Sequence, residues 1–386
     1  MQLASRMSRL GTETAFEVLA RARALEAKGR NIVHLEIGEP DFDTPAHIID
    51  EGVRALRHGF THYGPSPGMP QLRDASAEHV RKTRGVRCAP ENVVVTPGGK
   101  PIMFFAMLAL VEEGDEVLYP NPGFPIYESM IRFSGGTPVP VRLIEEQGFS
   151  LDVEQVEASI TPKTKMIVLN SPHNPTGGTL TGDDIARLAA ILRKHPDVIV
   201  LSDEIYSDLV YDGEHQSILR HEGFPERTIL LDGFSKTFAM TGWRLGYGVM
   251  PADLATHVAR LQTNSTSCTA SFTQMAGVAA LRGDWGPIKA MVEEFHRRRD
   301  LIVDGLNAIH GIKCVRPRGA FYVFPNVTAT GVPSKVLQQR LLEEAGVACL
   351  SGTAFGDWGE GYLRFSYANS TENILEALRR IRTIVK

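Results

Sequence analysis

The chain has 386 residues, 43% hydrophobic and 22% charged, enough to bury a substantial core and to divide into more than one domain. Its formal net charge of −4 leaves no electrostatic footprint for nucleic acid or an anionic membrane. Cys88, Cys268, Cys314 and Cys349 stand far apart without a C-x-x-C pair, which argues against a zinc site or a disulfide framework and fits a reducing cytoplasm.

The chain starts with an amphipathic pattern broken by charge, without the continuous apolar core of a signal peptide. No later stretch is long enough to span a bilayer. His58 and His62 have i, i+4 spacing, but Gly59 lies between them and THYGPSPG follows, so a loop is expected there and no metal site. From about residue 90, the short apolar runs NVVVTPGG, DEVLYPNPG, TPVPVRL, KMIVLNSPHNP, VIVLSDE, TILLDGFSK and WRLGYGVM alternate with amphipathic segments such as PIMFFAMLALVEEG and DDIARLAAILRKH. This alternation predicts an α/β fold, a mainly parallel mixed sheet covered by helices on both faces. After residue 285 a long charged helix leads into a smaller α+β unit. Within that helix the basic run His296-Arg297-Arg298-Arg299, flanked by Glu293, Glu294 and Asp300, is expected to form a solvated face. The predicted division is an N-terminal arm over 1–45, a large domain over 46–284 and a small domain over 285–386, with the arm joining the small domain.

In open parallel sheets ligands bind outside the carboxyl ends of the strands, and the unusual polar residues fall there. MIVLN runs into Asn174, VIVLS into Asp203 and Tyr206, and TILLDGFS into Lys236. VVVTPGGK leaves its strand through Gly98 and Gly99 directly into a helix, so backbone N–H groups face the same rim. Read alone, each has a plain meaning: a strand-end lysine reaching water, a helix N-cap before EIYSDLVY, a turn asparagine, a tight glycine connection. Neither a G-x-G-x-x-G fingerprint nor a Walker A loop is present, which counts against dinucleotides and nucleoside triphosphates. Together the residues suit an aromatic aldehyde with a phosphate and a ring nitrogen. A lysine crowded by uncharged groups loses hydration, its pKa falls, and its amine can form a Schiff base with the aldehyde. That ligand is pyridoxal 5'-phosphate.

SPHNPTG (171–177), SDEIYSDLVY (202–211) and SKTFAMTGWRLGY (235–247) resemble the core blocks of class I/II, fold-type I pyridoxal-phosphate aminotransferases. LEIGEPDFDTP (35–45), YGPSPGMPQLR (63–73), PNPGFPIYE (120–128), PRGAFYVFP (317–325) and YLRFSYA (362–368) extend the resemblance in order over nearly the whole chain. It implies ping-pong transfer of an amino group between an L-amino acid and a 2-oxo acid. Lys236 would carry the cofactor and move the substrate's proton, and Asp203 would face the pyridinium nitrogen. Tyr206 and Asn174 would hydrogen-bond the ring's phenolic oxygen, and Phe124 would stack on the ring. Ser235 and Arg244, with Gly98 and the Gly99 and Lys100 backbone, would bind the phosphate. Arg364, a planar fork, would grip the substrate α-carboxylate beside Asn174 and the backbone of Gly38. Tyr63 would reach the phosphate of a neighbouring subunit, implying a homodimer with shared sites.

Two departures stand out: Gly233 occupies a position where many relatives have a phosphate-binding serine, and Pro101 replaces a usual polar residue. No second arginine dedicated to a distal carboxylate is legible, so the expected preference is broad or neutral-to-aromatic. The same fold and site also support β-elimination from cysteine conjugates. A ligand-sensing domain of a transcription regulator is the non-enzymatic alternative, but such regulators carry a helix-turn-helix ahead of the module and no basic stripe is present here.

Overall fold

The computed structural model describes residues 1–385. After a short 3-10 turn, α1 (Thr14–Glu26) leads to β1 (Val33–His34), α2 (Ala46–Arg57) and α3 (Pro70–Arg84). The central region follows as β2 (Val93–Thr96), α4 (Lys100–Leu110), β3 (Glu116–Asn121), α5 (Ile126–Ser134), β4 (Thr137–Ile144), β5 (Ser150–Leu151), α6 (Val153–Ser159) and β6 (Thr164–Asn170). It continues through α7 (Gly182–Arg193), β7 (Ile199–Asp203), β8 (Thr228–Gly233), β9 (Gly246–Val249), α8 (Ala252–Thr266) and α9 (Ser271–Arg282). The last part comprises α10 (Gly286–Asn307), β10 (Tyr322–Val323), α11 (Ser334–Glu343), β11 (Val347–Ala348), β12 (Leu350–Ser351), β13 (Leu363–Ser366) and α12 (Thr371–Ile384).

The main sheet has the order β2-β9-β8-β7-β6-β3-β4-β5. β8, β7, β6, β3 and β4 run parallel, β9 is antiparallel to both its neighbours, and β5 turns back along β4. Strands in this setting bury both faces, which is why their sequences are continuously apolar. Alternate residues Val94, Val168, Leu201 and Leu231 point into one core with α4, α5 and α8. Their neighbours Ile167, Leu169 and Val200 pack on α7, while Val93, Val95 and Leu230 pack on α2, α3 and α9. The register pairs Asn170 with Asp203 and Asp203 with Leu231, so the carboxyl ends of β6, β7 and β8 share one rim.

β1 pairs in parallel with β11, and β10-β13-β12 form a second small sheet. Val33 and Leu35 from the N-terminal side share a core with Phe295, Val347 and Ile374 from the C-terminal side. The reading of the basic run as a solvated face is corrected in part. Arg297 is exposed and His296 half-buried, but Arg298 and Arg299 are only 7% and 3% exposed. Arg298 donates to Asp41 at 2.7 and 2.9 Å and to Glu294 at 2.7 Å; Arg299 donates to Asp212 at 2.5 Å and to the Pro317 carbonyl at 3.2 Å. Carboxylates from distant loops neutralise these two arginines, so the helix can turn them inward. EIYSDLVY also forms no helix; residues 205–208 make a turn directly after β7.

Candidate active site

A cavity of about 1010 Å³ opens at the rim formed by the carboxyl ends of β6, β7 and β8. Of the residues singled out from sequence, Gly38, Gly99, Lys100, Phe124, Asn174, Asp203, Tyr206, Ser235, Lys236, Arg244 and Arg364 line it. Gly98 is not among the lining residues, although it packs against Arg244, which is. Tyr63 does not line the cavity; it is 90% exposed at the molecular surface.

Asp203, the last residue of β7, is buried. Its Oδ2 accepts a hydrogen bond from the Tyr127 hydroxyl at 2.7 Å, and its Oδ1 accepts from the Ile205 backbone N–H at 3.2 Å. Burial raises its pKa to about 6, against the pull of those two donors. A carboxylate desolvated to this degree stabilises a cation placed against it, such as a protonated ring nitrogen. Tyr127 was not singled out from sequence, although it lies inside the PNPGFPIYE block. Only the approach of α5 to β7 shows that its hydroxyl points at Asp203.

Lys236 follows the end of β8 and is partly buried, its Nζ donating to the Gly38 carbonyl. The ammonium stands 5.9 Å from the Tyr206 ring centroid and 5.7 Å from that of Phe321. Burial lowers its pKa to about 8, so the amine is still mainly charged at neutral pH but its free form is far more populated than in an ordinary lysine. The Tyr206 and Tyr322 hydroxyls share a hydrogen bond at 2.8 Å. A Cβ on Gly38 would stand 2.1 Å from the Tyr322 hydroxyl, so only glycine fits there without displacing that pair.

The glycine connection has a shape that suits an anion. Gly98 has φ +89°, and a Cβ on it would meet Arg244 Nη2 at 2.2 Å. Gly99 caps α4, whose first backbone N–H groups have no helical acceptor and open toward the cavity. Pro101 sits in the first turn, where its missing N–H breaks no helical bond. Arg244, itself at φ +53°, is held by the Thr241 carbonyl at 2.8 Å. At Gly233 a Cβ would lie 3.0 Å from Gly246 Cα and 3.1 Å from Ile205 Cδ1, so close strand packing favours glycine at this position over the serine of many relatives.

Arg364 belongs to β13, the central strand of the small sheet, and is buried. Its Nη1 donates to Asn174 Oδ1 at 3.1 Å and its Nη2 to the Glu36 carbonyl. The guanidinium lies 4.5 Å from the Tyr322 ring centroid and 5.0 Å from that of Phe355. Its buried Nε–H has no acceptor among the described residues. A buried donor left unpaired is costly, and an incoming carboxylate would satisfy it. Together, the desolvated acid, the depressed amine, the glycine cradle and the unpaired guanidinium donor fit pyridoxal phosphate and an α-amino acid.

Residues 30–381 match the family model "Aminotransferase class I and II". Among curated relatives, the aspartate aminotransferase of Pyrococcus abyssi is 41% identical over 361 residues, covering 92% of each chain. The aromatic-amino-acid aminotransferase 2 of Thermococcus litoralis is 39% identical over 390 residues, covering 100% of this chain and 99% of its own. The solved aspartate aminotransferase from Thermus thermophilus with maleate superposes with a TM-score of 0.95 at 40% identity, covering 100% of both chains. With this fold and these relatives, the chain belongs to the class I and II aminotransferases, fold-type I enzymes that use pyridoxal phosphate to transfer amino groups.

Proposed function

We propose that this aminotransferase works through Lys236 as both cofactor anchor and proton carrier, with Asp203 facing the ring nitrogen and Arg364 holding the substrate α-carboxylate. The observation that carries this reading is the convergence of a desolvated carboxylate, a lysine with depressed pKa and a buried guanidinium with a free N–H on one cavity. When bound, the cofactor supplies an electron sink for the bonds at the substrate's Cα.

Gly98, the Gly99 and Lys100 backbone, Ser235 and Arg244 would hold the phosphate. Phe124 would stack on the ring. Tyr206 and Asn174 would hydrogen-bond the phenolic oxygen. Arg364 takes the α-carboxylate through its fork, with Asn174 and Gly38 fixing its approach, so that Cα lies toward Lys236. With the cofactor bound, the Lys236 amine would be the group that takes the Cα proton and gives it back. An amine with pKa about 8 suits that exchange near neutral pH, because both protonation states are populated.

The N-terminal arm (1–45) and residues 285–386 form one small domain beside a large domain over 46–284; the core shared by Val33, Leu35, Val347 and Ile374 supports this division. The working unit is a homodimer, with Tyr63 reaching the partner's phosphate. Tyr63 is 90% exposed, and Ile49, Val53 and Leu56 leave an apolar stripe on α2 at 38%, 39% and 44% exposure, which suits a partner surface. No helix among the described residues is long and apolar enough to cross a membrane. With the absence of paired cysteines, this supports a cytoplasmic location.

The deciding experiment is Lys236→Ala. The variant should lose both the lysine-linked absorbance band of the bound cofactor and all amino transfer from a panel of L-amino acids. Normal turnover in that variant would overturn the assignment.

A further inference from the structure

Above the substrate end of the cavity, the N-terminal arm brings in a charge that the catalytic reading does not use. Glu13 precedes α1 and makes no side-chain cap to that helix. Its carboxylate turns into the cavity instead and pairs with Lys100 Nζ. The Lys100 ammonium lies 5.4 Å from the Phe124 ring centroid, beside the expected ring position. The Glu13 side chain is 18% exposed and that of Lys100 48% exposed, so the acid is the better shielded partner. Glu13 also lies within electrostatic reach of Arg364, where it opposes the lowering that burial imposes on the guanidinium. A second carboxylate, Glu39, lines the same cavity and accepts from Thr241 at 2.9 Å.

Apart from Arg23, the cations on the cavity wall are already committed. Arg364 serves the α-carboxylate, Arg244 the phosphate, Lys236 the cofactor, and His34 sits between Glu26 and Glu36 at 3.1 and 2.7 Å. Arg23 is exposed on α1 and lines the outer part of the cavity. Phe16, Leu19, Ile37, Leu350 and Phe355 supply apolar wall. An anionic side chain entering here faces the Glu13 carboxylate, to which the Lys100 ammonium is already paired. An uncharged side chain meets apolar surface.

We propose that Glu13 is a specificity residue, which neutralises Lys100 and turns the substrate side-chain pocket toward uncharged, aromatic or aliphatic amino acids and away from dicarboxylic ones. This rests on the transaminase reading of the site, but it makes a binding prediction that does not need turnover. The holoenzyme, its Glu13→Gln variant and the Glu13→Gln/Lys100→Met double variant are titrated by calorimetry with succinate and with 3-phenylpropionate. The same proteins are assayed for kcat/KM with aspartate and phenylalanine.

The wild type should bind 3-phenylpropionate more tightly than succinate. Glu13→Gln should strengthen succinate binding by about fivefold, the scale of one partly exposed ion pair, and leave 3-phenylpropionate unchanged. The aspartate-to-phenylalanine ratio of kcat/KM should rise with it, and Lys100→Met on top should remove the gain. Tighter succinate binding in the wild type, or no gain in Glu13→Gln, would sink the assignment. If no amino acid reacted while the calorimetric pattern held, the transaminase reading would fail and the Glu13 assignment would stand.

Discussion

Adjoining the cavity-lining residues Asp203 and Leu231 in the chain are two members of a buried charge cluster whose removal has a calculable cost. Arg84, the last residue of α3, is 2% exposed. Its Nε donates to Glu204 at 3.0 Å and its Nη2 to Asp232 at 3.0 Å. Glu204 also accepts from Ser202 at 2.8 Å and Ser217 at 2.6 Å, and pairs with His215 at 2.8 Å. Burial alone would raise the Glu204 pKa, but His215 and Arg84 outweigh it and hold the group at about 2. Arg84→Met deletes two charge-assisted hydrogen bonds, each worth ~1.5–3 kcal/mol, and leaves two carboxylates facing a methyl group. The expected loss is about 3–5 kcal/mol, the range for breaking a buried ion pair from one side. Urea unfolding of the cofactor-free protein, followed by tryptophan fluorescence, measures it. Because Glu204 adjoins Asp203, and Asp232 leads through Gly233 toward Lys236, cofactor affinity should fall in the same variant. The triple variant Arg84→Met/Glu204→Gln/Asp232→Asn should recover part of the stability, since it carries no unpaired charge. An Arg84→Met midpoint equal to that of the wild type would refute the reasoning.

Two further outcomes are expected. Lys236→Met should stabilise the cofactor-free protein at pH 7, because the native chain there holds a charged amine in a desolvated place. The folded amine titrates at about 8 and the unfolded one at 10.5, so the unfolded chain binds more protons between those values and wild-type stability rises with pH across that window. The advantage of the variant should therefore close between pH 8 and 10.5 in pH-dependent thermal melts, and a constant gap would contradict the depressed pKa. Gly38→Ala forces a methyl group against the Tyr322 hydroxyl, 2.1 Å from the new carbon, and breaks the Tyr206–Tyr322 bond. Steady-state kinetics should show kcat/KM lower by about 100-fold, the scale of a 1 Å misplacement, and an unchanged value would remove Gly38 from the site.

The sheet was legible because its information is local. A strand buried on both faces must be apolar at consecutive positions, and a strand that delivers a catalytic group must change composition at its carboxyl end. Asn174, Asp203 and Lys236 could be placed on one rim for that reason. The reversed direction of β9 left no such mark, since WRLGYGVM is as apolar as its parallel neighbours. The residues that escaped have their partners far away in the chain. Tyr127 reaches Asp203 across 76 positions, Arg84 reaches Glu204 across 120, and Arg298 reaches Asp41 across 257. A basic run of four looks solvated until the fold supplies acids to meet it.

The same distinction separates the chemistry from its selectivity. The cofactor set is written in short blocks because each group must leave a strand end at a fixed angle. Side-chain selectivity comes from where a separate segment, the N-terminal arm, sets down one carboxylate. Lys100 stands in the glycine connection, where the phosphate contact we propose is made by its backbone and not by its side chain. Whether its ammonium is free to attract an acidic substrate depends on Glu13, which lies 87 positions earlier and carries no motif of its own. Selectivity can therefore change by substitution in the arm while the strand-end machinery stays fixed, and the aspartate-to-phenylalanine ratio should respond to Glu13 far more than the cofactor's own affinity does.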